Sequence, residues 1–533
     1  MKFLFFLFTA SIFAQPTMEW QNTIGGNNMD VNSIILEIPE NQGYLVGGSS
    51  LSGISGDKTE NTRGSWDIWI IKIDNQNNIL WQKTIGGSNE DVLAKIFYTN
   101  DGGFILGCSS NSNISGEKTE NSKGGNDYWI IKLDSLGTIE WQKTIGGNGS
   151  DALSHIEQTN DNGYILCGGS NSNISGDKTE NRRDPLVPTG LITNDYWIIK
   201  LNSTGIILWQ KTIGGNDNDF PAQISQTTDG GYIVGGKSLS NISYEKSENS
   251  RGNYDFWILK LDVFGEIEWQ KTIGGNMLED YFGGIIFSSD NGYQLGGLSF
   301  SGISGDKSEE SRGGGDIWLI KLNNNGTIVW QKTIGGSDDD YCSSINKTTN
   351  NNLLISSHSY SDISGEKSEE SRGLSDLWLL EIDTLGNIVW QKTFGGENYE
   401  SNPKLIHTED NGYIVSCSSN SNISGDKNEN STGLSDFWII KLSTNNLNTT
   451  SYTILTSYSP NPFNSELTIT TTKNLSNSSL KIYNSIGQLV KKVENIYGNK
   501  VILQRENLVS GIYFVQLFEN DKMISSQKII IKD

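Results

Sequence analysis

The chain has 533 residues, with 40 Lys+Arg against 62 Asp+Glu and a net charge of −22. That balance excludes a protein whose main partner is nucleic acid or an anionic membrane surface, because phosphates would be repelled. With 60 Gly, 8 Pro and 15 Trp, the composition suits strands joined by tight turns around a real core and excludes a disordered chain.

At the N-terminus, Lys2 followed by the apolar run Phe3 to Phe13 reads as a signal peptide ending at Ala14. The run is too short to span a bilayer, and no comparable run follows, so no membrane span is expected in the mature chain. The four cysteines, Cys108, Cys167, Cys342 and Cys417, are few and irregularly spaced. They argue against a disulfide framework and for buried thiols, although Cys108 and Cys167 fall in neighbouring repeats.

From residue 15 the chain is a repeat. A Trp-Gln-Lys-Thr-Ile-Gly-Gly segment begins at Trp81, Trp141, Trp209, Trp269 and Trp330, with variants at Trp20 and Trp390. Successive spacings are 61, 60, 68, 60, 61 and 60 residues. An Asp-x-Trp segment recurs at Trp69, Trp129, Trp197, Trp257, Trp318, Trp378 and Trp438. The second repeat predicts four strands. Val92 to Thr99 is followed by an Asp-Gly turn and Phe104 to Ser109. A long polar loop leads to Tyr128 to Asp134, and a fourth strand carries Trp141. The third strand is apolar on both faces, as a strand buried between neighbouring sheets should be.

Four antiparallel strands per period describe a propeller blade. The ends of the array exclude an open solenoid. Met18 to Gly26 is a lone fourth strand, and the last repeat, Glu400 to Leu442, lacks one. The N-terminal strand therefore completes the last blade and removes the exposed edges. The expected fold is an all-β, seven-bladed propeller over residues 15–443. A polar linker at 444–455 and a small C-terminal β-sandwich at 456–533 follow.

That last segment carries nine Lys+Arg against six Asp+Glu, a charge of +3. It contains Tyr458-Ser459-Pro460-Asn461-Pro462-Phe463, then Leu480-Lys481-Ile482-Tyr483-Asn484 with Gly487-Gln488. Ser510-Gly511-Ile512-Tyr513-Phe514 and a terminal Lys528 to Lys532 complete it. In these motifs and their order it resembles the type A C-terminal sorting domain of the type IX secretion system of Bacteroidetes-type bacteria. The resemblance implies that the secretion machinery is a partner and that the destination is the cell surface or the medium. Pro460, Asn461, Pro462, Phe463, Gly487, Gly511 and Tyr513 are the matching positions.

Catalytic patterns are missing. His155, His358 and His407 fall at unrelated repeat positions, and no His-Glu-x-x-His, Gly-x-Ser-x-Gly or Cys-x-x-Cys occurs. Gly56-Asp57-Lys58-Thr59 recurs, as Gly116-Glu117-Lys118-Thr119, Gly305-Asp306-Lys307-Ser308 and others, which marks it as structural rather than phosphate-binding. The loop into each blade carries Gly-Gly-x-x-x-Asp, ending at Asp30, Asp91, Asp151, Asp219, Asp280 and Asp340, with Glu400 in the last blade. Calcium is the conceivable cofactor there. Without an alternating Asp ladder, the expectation is no cofactor and carboxylates that accept main-chain N–H bonds. The repeated Trp residues are expected between blades rather than as sugar platforms.

Departures from the repeat are the candidate functional positions. After the loop carboxylate stand Val31, Val92 and Ala152 in three blades, then Phe220, Tyr281 and Tyr341 in the next three. Trp66 lies in the long loop of the first blade, and Arg182 to Thr193 is an insertion in the third. These breaks are mostly aromatic or apolar, which points to binding or adhesion with a glycan or surface protein as ligand. The alternatives are a glycan-active enzyme using the ring's mouth and a purely structural surface protein.

Overall fold

Each repeat folds because its third strand has no wet face. Asp127–Leu133 is buried along its whole length, as is its counterpart in most blades. Such a strand is stable only with sheets on both sides. The computed structural model describes residues 15–183, 192–279, 281–444, 456–484, 488–519 and 522–533. The expected signal peptide, Asp280, most of the insertion, nearly all of the linker and Gly487 fall outside these residues. The chain divides into two compact units, Met1–Thr444 and Asn445–Asp533.

The first unit is a ring of seven four-stranded antiparallel sheets. Blades one to six each take four consecutive strands, from Asp30–Ile85 to Asp340–Phe394. In blade five the innermost strand starts at Phe282. Blade seven takes Glu400–His407, Tyr413–Ser419 and Asp436–Ser443, and its outer strand is Thr17–Ile24. That pairing runs from Thr17 opposite Ser443 to Ile24 opposite Phe437. The two ends of the repeat array thus close the ring, as the sequence predicts. Among the described residues no helix is long and apolar enough to cross a membrane.

A repeated latch explains the conserved letters of the repeat. All seven Asp-x-Trp tryptophans are fully buried. Each indole N–H donates to the Gln of the Trp-Gln-Lys segment, as Trp197 does to Gln210 at 3.0 Å. In blade seven the bond crosses the closure, from Trp438 to Gln21 at 2.9 Å. The ring of Trp197 packs on Tyr128 of the preceding blade with centroids 5.0 Å apart. The Gly-Gly pair is steric. A Cβ on Gly86 would lie 2.1 Å from Asp67 Oδ1, and one on Gly87 would lie 2.5 Å from Ser112 Cβ.

The loop carboxylates are fully buried and bind the chain itself. Asp91 Oδ2 accepts the Gly87 N–H at 2.6 Å and the Ser112 hydroxyl at 2.8 Å. In blade five this place belongs to Glu279, not Asp280. Glu279 accepts the Gly275 N–H at 3.2 Å and the Ser301 hydroxyl at 2.6 Å. Four steps from the second glycine lead to Glu279, and one extra residue then precedes the strand. Lys58 is 1 % exposed and lies between Asp30 and Asp67, over the Trp69 ring at 5.0 Å. Burial pushes its ammonium down to about 8. All four cysteines are buried free thiols.

The second unit is one continuous five-stranded sheet that bends over a single core, so the expected sandwich is built without two separate sheets. Its long strand Glu466–Asn484 shifts register between Thr470 and Leu480, which lets both halves face the same core. Phe463, Leu480, Tyr513 and Ile529 are buried there. Asn461 clamps the last strand, donating to the Lys528 carbonyl at 2.9 Å and accepting the Ile530 N–H at 2.8 Å. The Tyr513 hydroxyl donates to the Val509 carbonyl at 2.9 Å. Pro460 and Pro462 are exposed, and Gly511 begins the fourth strand.

Two predictions follow from the latch. Trp197→Ala removes a fully buried indole and should cost about 3–5 kcal/mol, read by denaturant unfolding; a negligible loss would mean that the ring does not hold the blades together. The Asp residues of the Asp-x-Trp segments, such as Asp67, Asp127, Asp316, Asp376 and Asp436, are pushed up to about 6 by burial. The folded state therefore holds more protons than the unfolded chain between about pH 4 and 6, and stability falls as pH rises through that window. His155 and His358, lowered by burial, act in the opposite sense but are fewer. The melting temperature should be higher at pH 5 than at pH 7.5; the reverse order would refute this assignment.

Candidate ligand-binding site

The innermost strands of the blades surround an axial cavity of about 850 Å³. Each of these strands carries a bulge at the same place, for example between Leu93 and Lys95 and between Pro221 and Gln223. A bulge sets two residues against one and resets which side chains face the axis. Phe220 and Tyr281 line the cavity. They share one register, since Phe220 pairs with Lys237 and the Tyr281 carbonyl accepts the N–H of the corresponding Leu298 at 2.8 Å. The extra residue of blade five therefore leaves Tyr281 in line.

The structure groups the predicted aromatics in two. Tyr281 meets Tyr341 edge to face at 6.3 Å. Tyr341 stacks on His358 at 4.6 Å with planes 8° apart and meets Tyr360 at 6.2 Å. Tyr360 continues to Tyr399 at 6.5 Å. These last two rings are 39 % and 44 % exposed. Phe220 instead sits beside Tyr254 at 6.2 Å, and the Lys237 ammonium lies over both rings, 5.9 and 4.8 Å from their centroids. Trp66 is half-buried in blade one, where its carbonyl accepts the Asp91 N–H at 2.7 Å. It occupies the place that Tyr254 takes in blade four and does not extend the arc.

Sequence reasoning missed Tyr254, Tyr360 and Tyr399 because they lie outside the compared position. It also missed the residue after each bulge. Around the ring this is Ile34, Lys95, His155, Gln223, Gly284, Ser344 and Lys404. The signal was present: this position carries Lys in two blades and His in a third, among neutral residues. Lys404 donates to the Ser343 carbonyl at 2.9 Å, and burial together with Lys95 pushes its ammonium down to about 8. The Ser343 hydroxyl lies 3.0 Å from His358 Nδ1. Burial, and then the Lys404 charge, lower that imidazole to about 4. Among the described residues no three His, Cys, Asp or Glu side chains gather as a metal site.

Residues 458–532 match the family model of a secretion system C-terminal sorting domain. A regulatory protein of Caulobacter vibrioides, FlaEY, is 22% identical over 249 residues, 43% of this chain and 25% of its own length. The chain thus spans about a quarter of that relative. A fungal alcohol oxidase aligns at TM-score 0.43 and 10% identity over 97% of this chain and all of its own. The Pan2 WD40 domain of Neurospora crassa aligns at TM-score 0.40 and 8% identity over 77% of this chain and 89% of its own. Behind a seven-bladed propeller, then, residues 458–532 are a type IX secretion system C-terminal sorting domain.

Proposed function

We propose that the propeller is a surface binding or adhesion module, exported through an N-terminal signal peptide and then the type IX route. Its ligand is a glycan or a surface protein, held at the channel mouth. The observation that carries this reading is the continuous run of rings from Tyr281, which lines the cavity, through Tyr341 to Tyr360 and Tyr399, the last two exposed. Aromatic faces offer large, rigid contact area at small entropic cost, and they stack on sugar rings. The seven Asp-x-Trp rings do not compete for this role, because they are fully buried.

An enzymatic reading would start from Ser343 and His358. Their contact has the length of a nucleophile–base pair. A base lowered to about 4 is weak, and the neighbouring Lys404 opposes the positive charge that it would take up. Binding is therefore the better reading of the same cavity.

The test is retention of the full-length protein on an array of neutral and acidic polysaccharides, beside a Phe220→Ala/Tyr281→Ala/Tyr341→Ala variant. Retention of the native protein, lost in the variant while its unfolding stays cooperative, is the expected result. Equal retention of both proteins would return the arc to a packing role.

A further inference from the structure

Lys95 and Lys404 are a pair of cations that make no ion pair among the described residues, although the Glu157 charge reaches Lys95. They occupy the same register on blades two and seven, either side of Ile34 of blade one, and both line the axial cavity. Lys404 makes a hydrogen bond to a main-chain carbonyl only. The charge that reaches it is that of Lys95, and the carboxylate whose field reaches Lys95 is Glu157. His155, in the same layer, is 7 % exposed, and its Nδ1 has no hydrogen-bond partner among the described residues.

Such groups are costly. Lys95 and Lys404 are half-buried, and where an ammonium is withdrawn from water in this fold it is paired, as the buried Lys132 is with Asp101 and Glu140 at 3.0 and 2.9 Å. Two unpaired ones facing the same space repel each other as well. In a chain of net charge −22, carboxylates to neutralise them are plentiful, yet the layer of Lys95, His155 and Lys404 holds none. Of the nearby carboxylates, Glu37 lines the cavity three places beyond Ile34 on its strand, and Glu157, whose charge reaches Lys95, stands two places beyond His155; both lie further from the aromatic mouth than the lysines. An anion that enters past Phe220 and Tyr281 therefore meets the lysines before it meets a like charge.

We propose that the axial channel is an oxyanion site, in which Lys95 and Lys404 receive the carboxylate or sulfate group of an acidic sugar whose ring lies against the aromatic mouth. The cavity, about 850 Å³, is within the range of small-ligand sites. The sugar part of this assignment rests on the binding role proposed above; the anion site does not. Arrival of the anion neutralises the mutual repulsion of the lysines and so stabilises the folded chain by linkage.

The test uses the full-length protein with two small probes, free D-glucuronate and inorganic sulfate, measured by calorimetry and by thermal shift at low ionic strength. Saturable binding is expected. Lys95→Met/Lys404→Met should weaken it by about tenfold or more, because a charge-assisted contact is lost. Lys95→Arg should keep it, and Phe220→Ala/Tyr281→Ala/Tyr341→Ala should leave sulfate binding intact. Glucuronate binding that falls with both sets of substitutions places the sugar across mouth and channel; sulfate binding alone would overturn the acidic-sugar part. Absence of saturable binding for both probes, or binding that the double lysine variant retains, would overturn the anion site. Polysaccharide retention that depends on the aromatics and not on the lysines would overturn the acidic-sugar part, while leaving the mouth as a glycan site.

Discussion

The pairing of Thr17–Ile24 with Asp436–Ser443 is the constraint on which the rest of the propeller depends. Sheets that are apolar on both faces cannot end in water, and in a ring they have no ends. The closure also carries its own copy of the latch, since the Trp438 indole needs Gln21 from the other end of the chain. Beside it, Asn32 and Ser416 exchange a hydrogen bond between blades one and seven at 2.9 Å. Only a closed ring has an axis, and only with an axis do the inner strands surround a cavity.

Symmetry and function divide the repeat between them. The outer and middle strands, the loops between blades and the first residue of the inner strands carry the shared letters: the buried Trp, its Gln, the two glycines and the buried carboxylates. Each is explained by contacts within or between blades and is spent on holding the ring. The inner strands see the axis, where seven equivalent positions face one another across open space. There a blade can change its residue without disturbing packing, and there the chain places aromatics on blades four to six and cations on blades two and seven. The packing contacts are thus repeated around the ring, and the departures that face the axis are one-sided.

Much of this was legible in the sequence, for physical reasons. Trp129, Ile131 and Leu133 with Tyr128 and Ile130 announce a strand buried on both faces, and the unpaired ends announce closure. The sorting tail was legible from Pro460 to Phe463 and from Tyr513, of which Phe463 and Tyr513 prove to be core residues. Less legible was whatever depends on a one-residue shift. Reading Asp280 for Glu279 is such an error, since two acids stand side by side and only the distance from Gly275 separates them. Strict alternation also hides the residue after a bulge, so Lys95 and Lys404 do not stand out in the sequence. Tyr360 and Tyr399 join the arc through loops whose course the strand pattern does not give.

The account's central claim is that the N-terminal strand is a structural member of blade seven and makes the channel a closed one. Amide hydrogen exchange on the full-length protein tests it directly. Amides of Thr17–Ile24 that pair with Asp436–Ser443 should exchange as slowly as those of the buried strand Asp127–Leu133, by opening of the whole propeller. Rapid exchange along Thr17–Ile24, with the inner strands still protected, would contradict it and leave a ring with an open edge.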